Sequence, residues 1–302
     1  MYPSYLNLGA KEIKKRGLQI YNKLSNCVLC PRECKVNRIL GNKGVCESDY
    51  RIFISSYHLH FGEEKPISGF NGSGTIFFTH CSLKCIFCQN YEISHLGEGY
   101  EIKIEELARI MLYLQNLGAH NINLVTPTHY LPQILLSLSI ATENGLKIPI
   151  VYNSSGYEKV EILKYLDGIV DIYLPDAKYM DSDLSFKLSK AKDYPLVNKN
   201  ALIEMKRQVK GYEFDEMGII KRGIIVRHLI LPNYVENSKK VLKMVYDNLG
   251  KDILISLMTQ YYPYFKATGD PYLGRRINKS EFNEIYKYFK ELGFKEDLVQ
   301  FI

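Results

Sequence analysis

The segment Cys81-Ser-Leu-Lys-Cys85-Ile-Phe-Cys88 sets three thiols at CxxxCxxC spacing. Three thiolates this close can hold three irons of a cubane and leave the fourth iron without a protein ligand. An open iron can be chelated by the amino and carboxylate groups of an amino acid, the same logic that separates catalytic from structural metal sites. Zinc or a plain buried thiol cluster is the alternative, although zinc motifs usually come as two CxxC-like pairs. A second group precedes it: Cys27, Cys30, Cys34 and Cys46, followed through VNR and GNKGVC. Four thiols so close form a closed set for zinc or for a second iron–sulfur cluster. Such a set is either a structural staple or an auxiliary centre that relays electrons or binds substrate. All seven cysteines fall in these two groups, and none follows Cys88. An odd count in tight clusters argues for thiolate ligation rather than a disulfide framework.

These side chains need elements to position them. Gly74 to Thr79 reads as a strand leading straight into Cys81. From Ile104 to Leu117 the apolar residues recur at helical spacing. The alternation continues with a strand at 121–126, a helix at 131–143 stopped by Asn144-Gly145, and a strand at 149–153. A helix at 158–166, a strand at 169–174 and helices within 182–210 come next, then strand 223–231, helix 237–248 and strand 252–258. Six strands separated by helices imply parallel pairing with right-handed crossovers, and near-continuous apolar strands fit a sheet buried on both faces. The expected fold is α/β, a partial (β/α)6 TIM-like barrel with an N-terminal cysteine-rich, metal-binding extension; a doubly wound sheet is second. The expected divisions are a loop-rich cysteine segment at 1–68, the barrel at 69–260, and an extension at 261–302 packing on the barrel through a helix at 280–292. Either fold puts the active site at the C-terminal ends of the strands.

The stretch CSLKCIFCQN resembles the signature of the radical S-adenosylmethionine (radical SAM) superfamily, in which CxxxCx(aromatic)C follows the first barrel strand. The resemblance implies a [4Fe–4S] cluster on Cys81, Cys85 and Cys88, electron transfer into it, and reductive cleavage of S-adenosylmethionine to a 5′-deoxyadenosyl radical. It implies that Phe87 lies against the adenine and that the backbone of Gln89 meets it. The Gly-Gly-Glu that commonly ends the second strand is replaced by Thr126-Pro127-Thr128-His129. Hydroxyls of Thr126 and Thr128 could still accept hydrogen bonds from the cofactor's ammonium, while His129 reads equally as a surface loop residue. The third strand ends in Asn153, where the related activases have Asp. The fourth ends in Asp176 and Lys178, resembling the Leu-Asp-Leu-Lys of the same group. Two residues apart at a strand end, these side chains point to one face. They fit the ribose hydroxyls and the methionine carboxylate, or else form an ordinary ion pair. Arg227 and His228 are weaker candidates.

From Cys27 through MTQYYP the chain resembles the subgroup related to pyruvate formate-lyase activating enzyme. That implies an electron donor of flavodoxin or ferredoxin type and a protein substrate such as a glycyl radical enzyme. The alternatives are radical chemistry on a small molecule or another protein residue, and a non-catalytic, metal-stapled nucleic-acid-binding module.

Bulk composition bounds the choice. The chain has 302 residues, 46% hydrophobic and 24% charged, the profile of a protein that buries a core. A net charge of +6 spread along the chain is too mild to favour nucleic acid as the partner. No apolar run reaches the roughly 18 residues that span a bilayer. The N-terminus lacks the layout of a secretory signal, so a cytoplasmic location is expected.

Overall fold

Six short apolar runs build the centre of the molecule, and their burial on both faces explains their composition. The computed structural model describes residues 2–302. Its strands are β1 (Ile52–His60), β2 (Ser73–Phe78), β3 (Tyr100–Ile102), β4 (Ile122–Val125), β5 (Ile150–Ser154), β6 (Ile172–Pro175), β7 (Glu213–Phe214), β8 (Ile220–Leu229) and β9 (Leu254–Met258). The helices are α1 (Tyr5–Tyr21), α2 (Lys65–Ser68), α3 (Tyr91–Ser94), α4 (Ile104–Asn116), α5 (Leu131–Glu143), α6 (Val160–Leu163), α7 (Ser182–Ser189), α8 (Tyr194–Val209), α9 (Val235–Leu249) and α10 (Lys279–Glu291).

The strands form one sheet in the order β3-β1-β2-β4-β5-β6-β8-β7, with β9 also pairing β8. The six expected strands, β2, β4, β5, β6, β8 and β9, are mutually parallel in that sequence. One register layer runs Thr75, Asn123, Val151, Ile172, Gly223. The chain is thus a mixed α/β protein around a parallel-dominated sheet. The sheet curves: residues following β2 and residues following β9 line the same cavity.

The expectation of a loop-rich segment at 1–68 requires correction. Its first part is the helix α1, packed on α5 with Ile13 and Ile20 fully buried, each contributing about 2 kcal/mol. Its last part is the nine-residue strand β1, which pairs antiparallel with β2 and β3, so the sheet crosses residue 68. The pattern of α1 is blurred by Gly9, whose φ of 74° interrupts the helix. At the other end, Val299 bridges Leu257 of β9, and α10 lies on α9 behind an Asn278/Glu281 capping box. Among the described residues, no helix is long and apolar enough to cross a membrane.

Candidate functional site

Beyond Phe78 the chain turns through His80 and Lys84, both in the left-handed region at φ 65° and 52°. Such non-glycine conformations cost about 1 kcal/mol or more each and need support from their surroundings. The support is visible. The amide of Ile86 donates to the Leu188 carbonyl at 2.9 Å, and the amide of Lys266 donates to the Ile86 carbonyl at 3.1 Å. Arg32, lying between Cys30 and Cys34, donates to the carbonyls of Ser82 (3.0 Å), Leu83 (3.3 Å), Ser189 (2.7 Å) and Lys190. Lys84 pairs with Glu47, the residue after Cys46.

The loop so held presents its three thiols to one cavity of about 250 Å³ at the C-terminal ends of the parallel strands. Each sulfur has a polar neighbour. The Leu83 amide lies 3.3 Å from Cys81 Sγ, the Ser189 hydroxyl donates to Cys85 Sγ at 3.2 Å, and Ser94 Oγ lies 3.1 Å from Cys88 Sγ. Tyr179 in turn bonds Ser189. Burial pushes the Cys81 thiol up to about 12, with Cys85 and Cys88 adding to the effect; burial likewise raises Cys88 against the Ser94 hydrogen bond. Such thiols stay protonated until a metal displaces the proton. Among the described residues, no three His, Cys, Asp or Glu side chains are drawn around a single metal-ion position. Three thiols opening on one cavity, each with a hydrogen-bonding neighbour, are the donor set that a three-cysteine cluster with an open iron requires.

The same cavity collects nearly every residue singled out beyond the cysteines: Phe87 and Gln89 of the loop, Thr126, Asn153, Asp176 and Lys178 at later strand ends, and also Arg227. Phe87 is buried edge-on against Tyr179 and Tyr261. Gln89 donates its amide to the Gln260 carbonyl at 3.1 Å, joining the loop to the chain beyond β9. Asp176 receives Lys178 at 2.7 Å and Arg227 at 3.0 Å. Burial would push the Asp176 carboxyl up, but the charges of Lys178 and Arg227 outweigh it and hold the group below its ordinary value.

Thr128 is the exception. After Thr126 (φ 59°) the chain enters a 3-10 turn over Thr128–Tyr130. This carries the Thr128 hydroxyl away from the cavity to donate to Glu158 at 2.6 Å. Burial raises Glu158 to about 7 in spite of its hydroxyl donors. His129, read equally as a surface residue, is buried with Nε2 2.8 Å from the Thr79 carbonyl. Burial lowers it to about 3, so it is a neutral packing group. His228 is likewise buried, with Nδ1 2.6 Å from the Ala177 carbonyl.

Two residues at the site carried no role in the sequence reading. Glu63, from the turn after β1, accepts from Asn123 (3.0 Å) and Asn153 (3.2 Å) and faces Arg227 at 3.4 Å. Arg32 clamps the cysteine loop. Recognising β1 would have exposed Glu63 as a strand-end acid, whereas nothing local marks Arg32, whose acceptors lie 50 or more residues away.

Comparison with known proteins agrees with this geometry. Residues 75–212 match the model of the radical SAM superfamily. An uncharacterized protein of Methanocaldococcus jannaschii is 33% identical over 271 residues, covering 86% of this chain and 73% of its own. The pyruvate formate-lyase-activating enzyme of Clostridium pasteurianum is 24% identical over 233 residues, covering 72% of this chain and 90% of its own. Among solved structures, Streptococcus suis SuiB bound to precursor peptide SuiA matches at a TM-score of 0.46 and 15% identity, covering 70% of this chain. The match spans only 44% of that longer chain. With the cysteine loop after the first parallel strand, the strand-end cavity and the family match over residues 75–212, the chain belongs to the radical SAM superfamily.

Proposed function

We propose that this chain reductively cleaves S-adenosylmethionine and directs the resulting radical at a residue of a protein or peptide partner, as an activase of the pyruvate formate-lyase-activating type. The observation that carries the reading is the convergence of three thiols and the Asp176/Lys178/Arg227 charge cluster on one strand-end cavity. Cys81, Cys85 and Cys88 would hold a [4Fe–4S] cluster, which supplies the electron for sulfonium cleavage when bound. Asp176, kept ionised, is suited to accept from ribose hydroxyls, and Lys178 to meet a carboxylate. Phe87 offers an apolar wall for a purine. Thr126 is left as the hydroxyl on the second strand that faces the cavity, since Thr128 is committed to Glu158. Arg227 lines the cavity and pairs with Glu63 of the turn after β1.

The activase part is supported by the name of the Clostridium pasteurianum relative and by the Asp176/Lys178 strand end. The reading includes an electron donor of flavodoxin or ferredoxin type. The four N-terminal cysteines would be its second metal site, zinc or a second cluster.

The test is anaerobic reconstitution with iron and sulfide, addition of dithionite and S-adenosylmethionine, and chromatography for 5′-deoxyadenosine. Product in the wild type, lost in Cys85→Ala, is expected. A fully loaded, reducible cluster that yields none would overturn the reading. A glycyl doublet in the electron paramagnetic resonance (EPR) spectrum of a partner is the expected mark of the activase. Turnover of a small substrate with no such doublet would replace it by small-molecule chemistry.

A further inference from the structure

Arg38 is among the most deeply buried large side chains, 1% exposed, and it lies in the chain between Cys34 and Cys46. Its Nε and Nη2 donate to the Asp49 carbonyl at 3.0 and 2.5 Å, and Nη1 donates to the His129 carbonyl at 2.8 Å. Nη1 also lies 4.0 Å from Cys27 Sγ, and the charge of Arg38 reaches Cys46 as well. These carbonyls accept three of the five N–H groups but carry no net charge. The carboxylate of Asp49 is turned to Arg51 at 2.6 Å, and among the described residues Arg38 enters no ion pair. A guanidinium cannot shed its proton in a protein, and burying one without an anion is strongly disfavoured. The groups beside it that could become anionic are the thiols.

The backbone around those thiols is built to bring them together. Cys27, Cys30 and Cys46 are each at most 7% exposed. The Cys27 amide donates to the Val36 carbonyl and the Lys35 amide to the Cys27 carbonyl, both at 2.9 Å. The Val45 amide donates to Cys34 Sγ at 3.3 Å. A Cβ on Gly44 would lie 2.8 Å from both Cβ and Sγ of Cys34, so only glycine lets the Cys46 segment run past that thiol.

We infer that Cys27, Cys30, Cys34 and Cys46 close on one metal centre of net negative charge, for which Arg38 is the buried counter-ion. Four thiolates around a zinc ion, or around a cubane in its doubly positive state, both leave two negative charges, so the shared chemistry is a dianionic tetrathiolate. On ligation each thiol passes its proton to solvent and one sulfur–metal bond forms in its place, with no change of oxidation state. The inference concerns the four-cysteine part of the reading above and does not depend on radical chemistry.

The experiment is metal and sulfide analysis of the anaerobically purified full chain carrying Cys81→Ala, Cys85→Ala and Cys88→Ala together. The expected result is about one zinc, or about four irons with matching sulfide, retained per chain; the two outcomes identify the metal. A folded triple variant with neither metal overturns the site. In that background Arg38→Met is expected to weaken retention against a chelator at least ~10-fold, with partial recovery in Arg38→Lys. Unchanged retention in Arg38→Met overturns the counter-ion role. Should Arg38→Met fail to fold, Arg38→Gln, which keeps N–H donors and drops the charge, decides: weakened metal retention supports the inference, and unchanged retention overturns it. Failure of S-adenosylmethionine cleavage in the wild type is a separate readout and leaves this one standing.

Discussion

Asp176 holds the charge balance of the cavity, because Lys178 and Arg227 both converge on it. Glu158, the acceptor of Thr128, shows the opposite physics: among the described residues it enters no ion pair, and burial raises it to about 7. The native state therefore keeps a proton that the unfolded chain releases between about pH 4.5 and 7. Stability falls as pH rises through that window, by about 3 kcal/mol at its upper end. Glu158→Gln should remove the decline, matching the wild type near pH 4.5 and exceeding it at pH 8. Denaturant midpoints at the two pH values check this; parallel profiles would show that Glu158 folds ionised.

Strand ends and the loops after them set the site's geometry, and Gly156 shows how tightly. It follows β5 at φ 69°, and a Cβ there would fall 2.1 Å from the Asp176 carbonyl oxygen. Gly156→Ala must push the ends of β5 and β6 apart, at a cost of roughly 2–4 kcal/mol. It should also weaken S-adenosylmethionine binding, because Asn153 and Asp176 move with those ends. Thermal unfolding and equilibrium dialysis on the loaded protein test both effects; a native melting temperature would show that the loop relaxes freely. At this scale the sequence was legible where periodicity was strong. The expected helix at 131–143 is α5 (Leu131–Glu143), and 104–117 is α4 to within one residue. It was not legible for α1, broken by Gly9, or for β1, whose central residues Tyr57 to Leu59 are half-buried or exposed and give no apolar run.

Across the whole molecule, the two cysteine groups are parts of one assembly. Arg32 projects from between Cys30 and Cys34 and takes four carbonyls in and around the Cys81–Cys88 loop, while Glu47 pairs with Lys84 of that loop. Arg32 acts as a positioning residue for the loop. Arg32→Ala should still assemble a cluster but shift or broaden its EPR signal and hasten its loss in air. Arg32→Lys should rescue little, since an ammonium lacks the planar fork that spans several carbonyls. Spectra and air half-lives equal to wild type in Arg32→Ala would remove the clamp from the account.

The sequence by itself determined the parallel α/β order and the two cysteine groups, because strand–helix alternation and ligand spacing are local properties written in consecutive residues. It also marked Asp176 and Lys178, two apart at a strand end. Only the tertiary structure decided that Arg227 lines their cavity and pairs with Glu63, that Thr128 turns away to Glu158, and that Arg38 is buried beside Cys27. Those outcomes depend on which distant segments meet: pairing of β1 with β2 brings Glu63 to Arg227, and one 3-10 turn redirects Thr128. Charge compensation in a buried site is a property of the packed whole, and spacing along the chain carries no record of it.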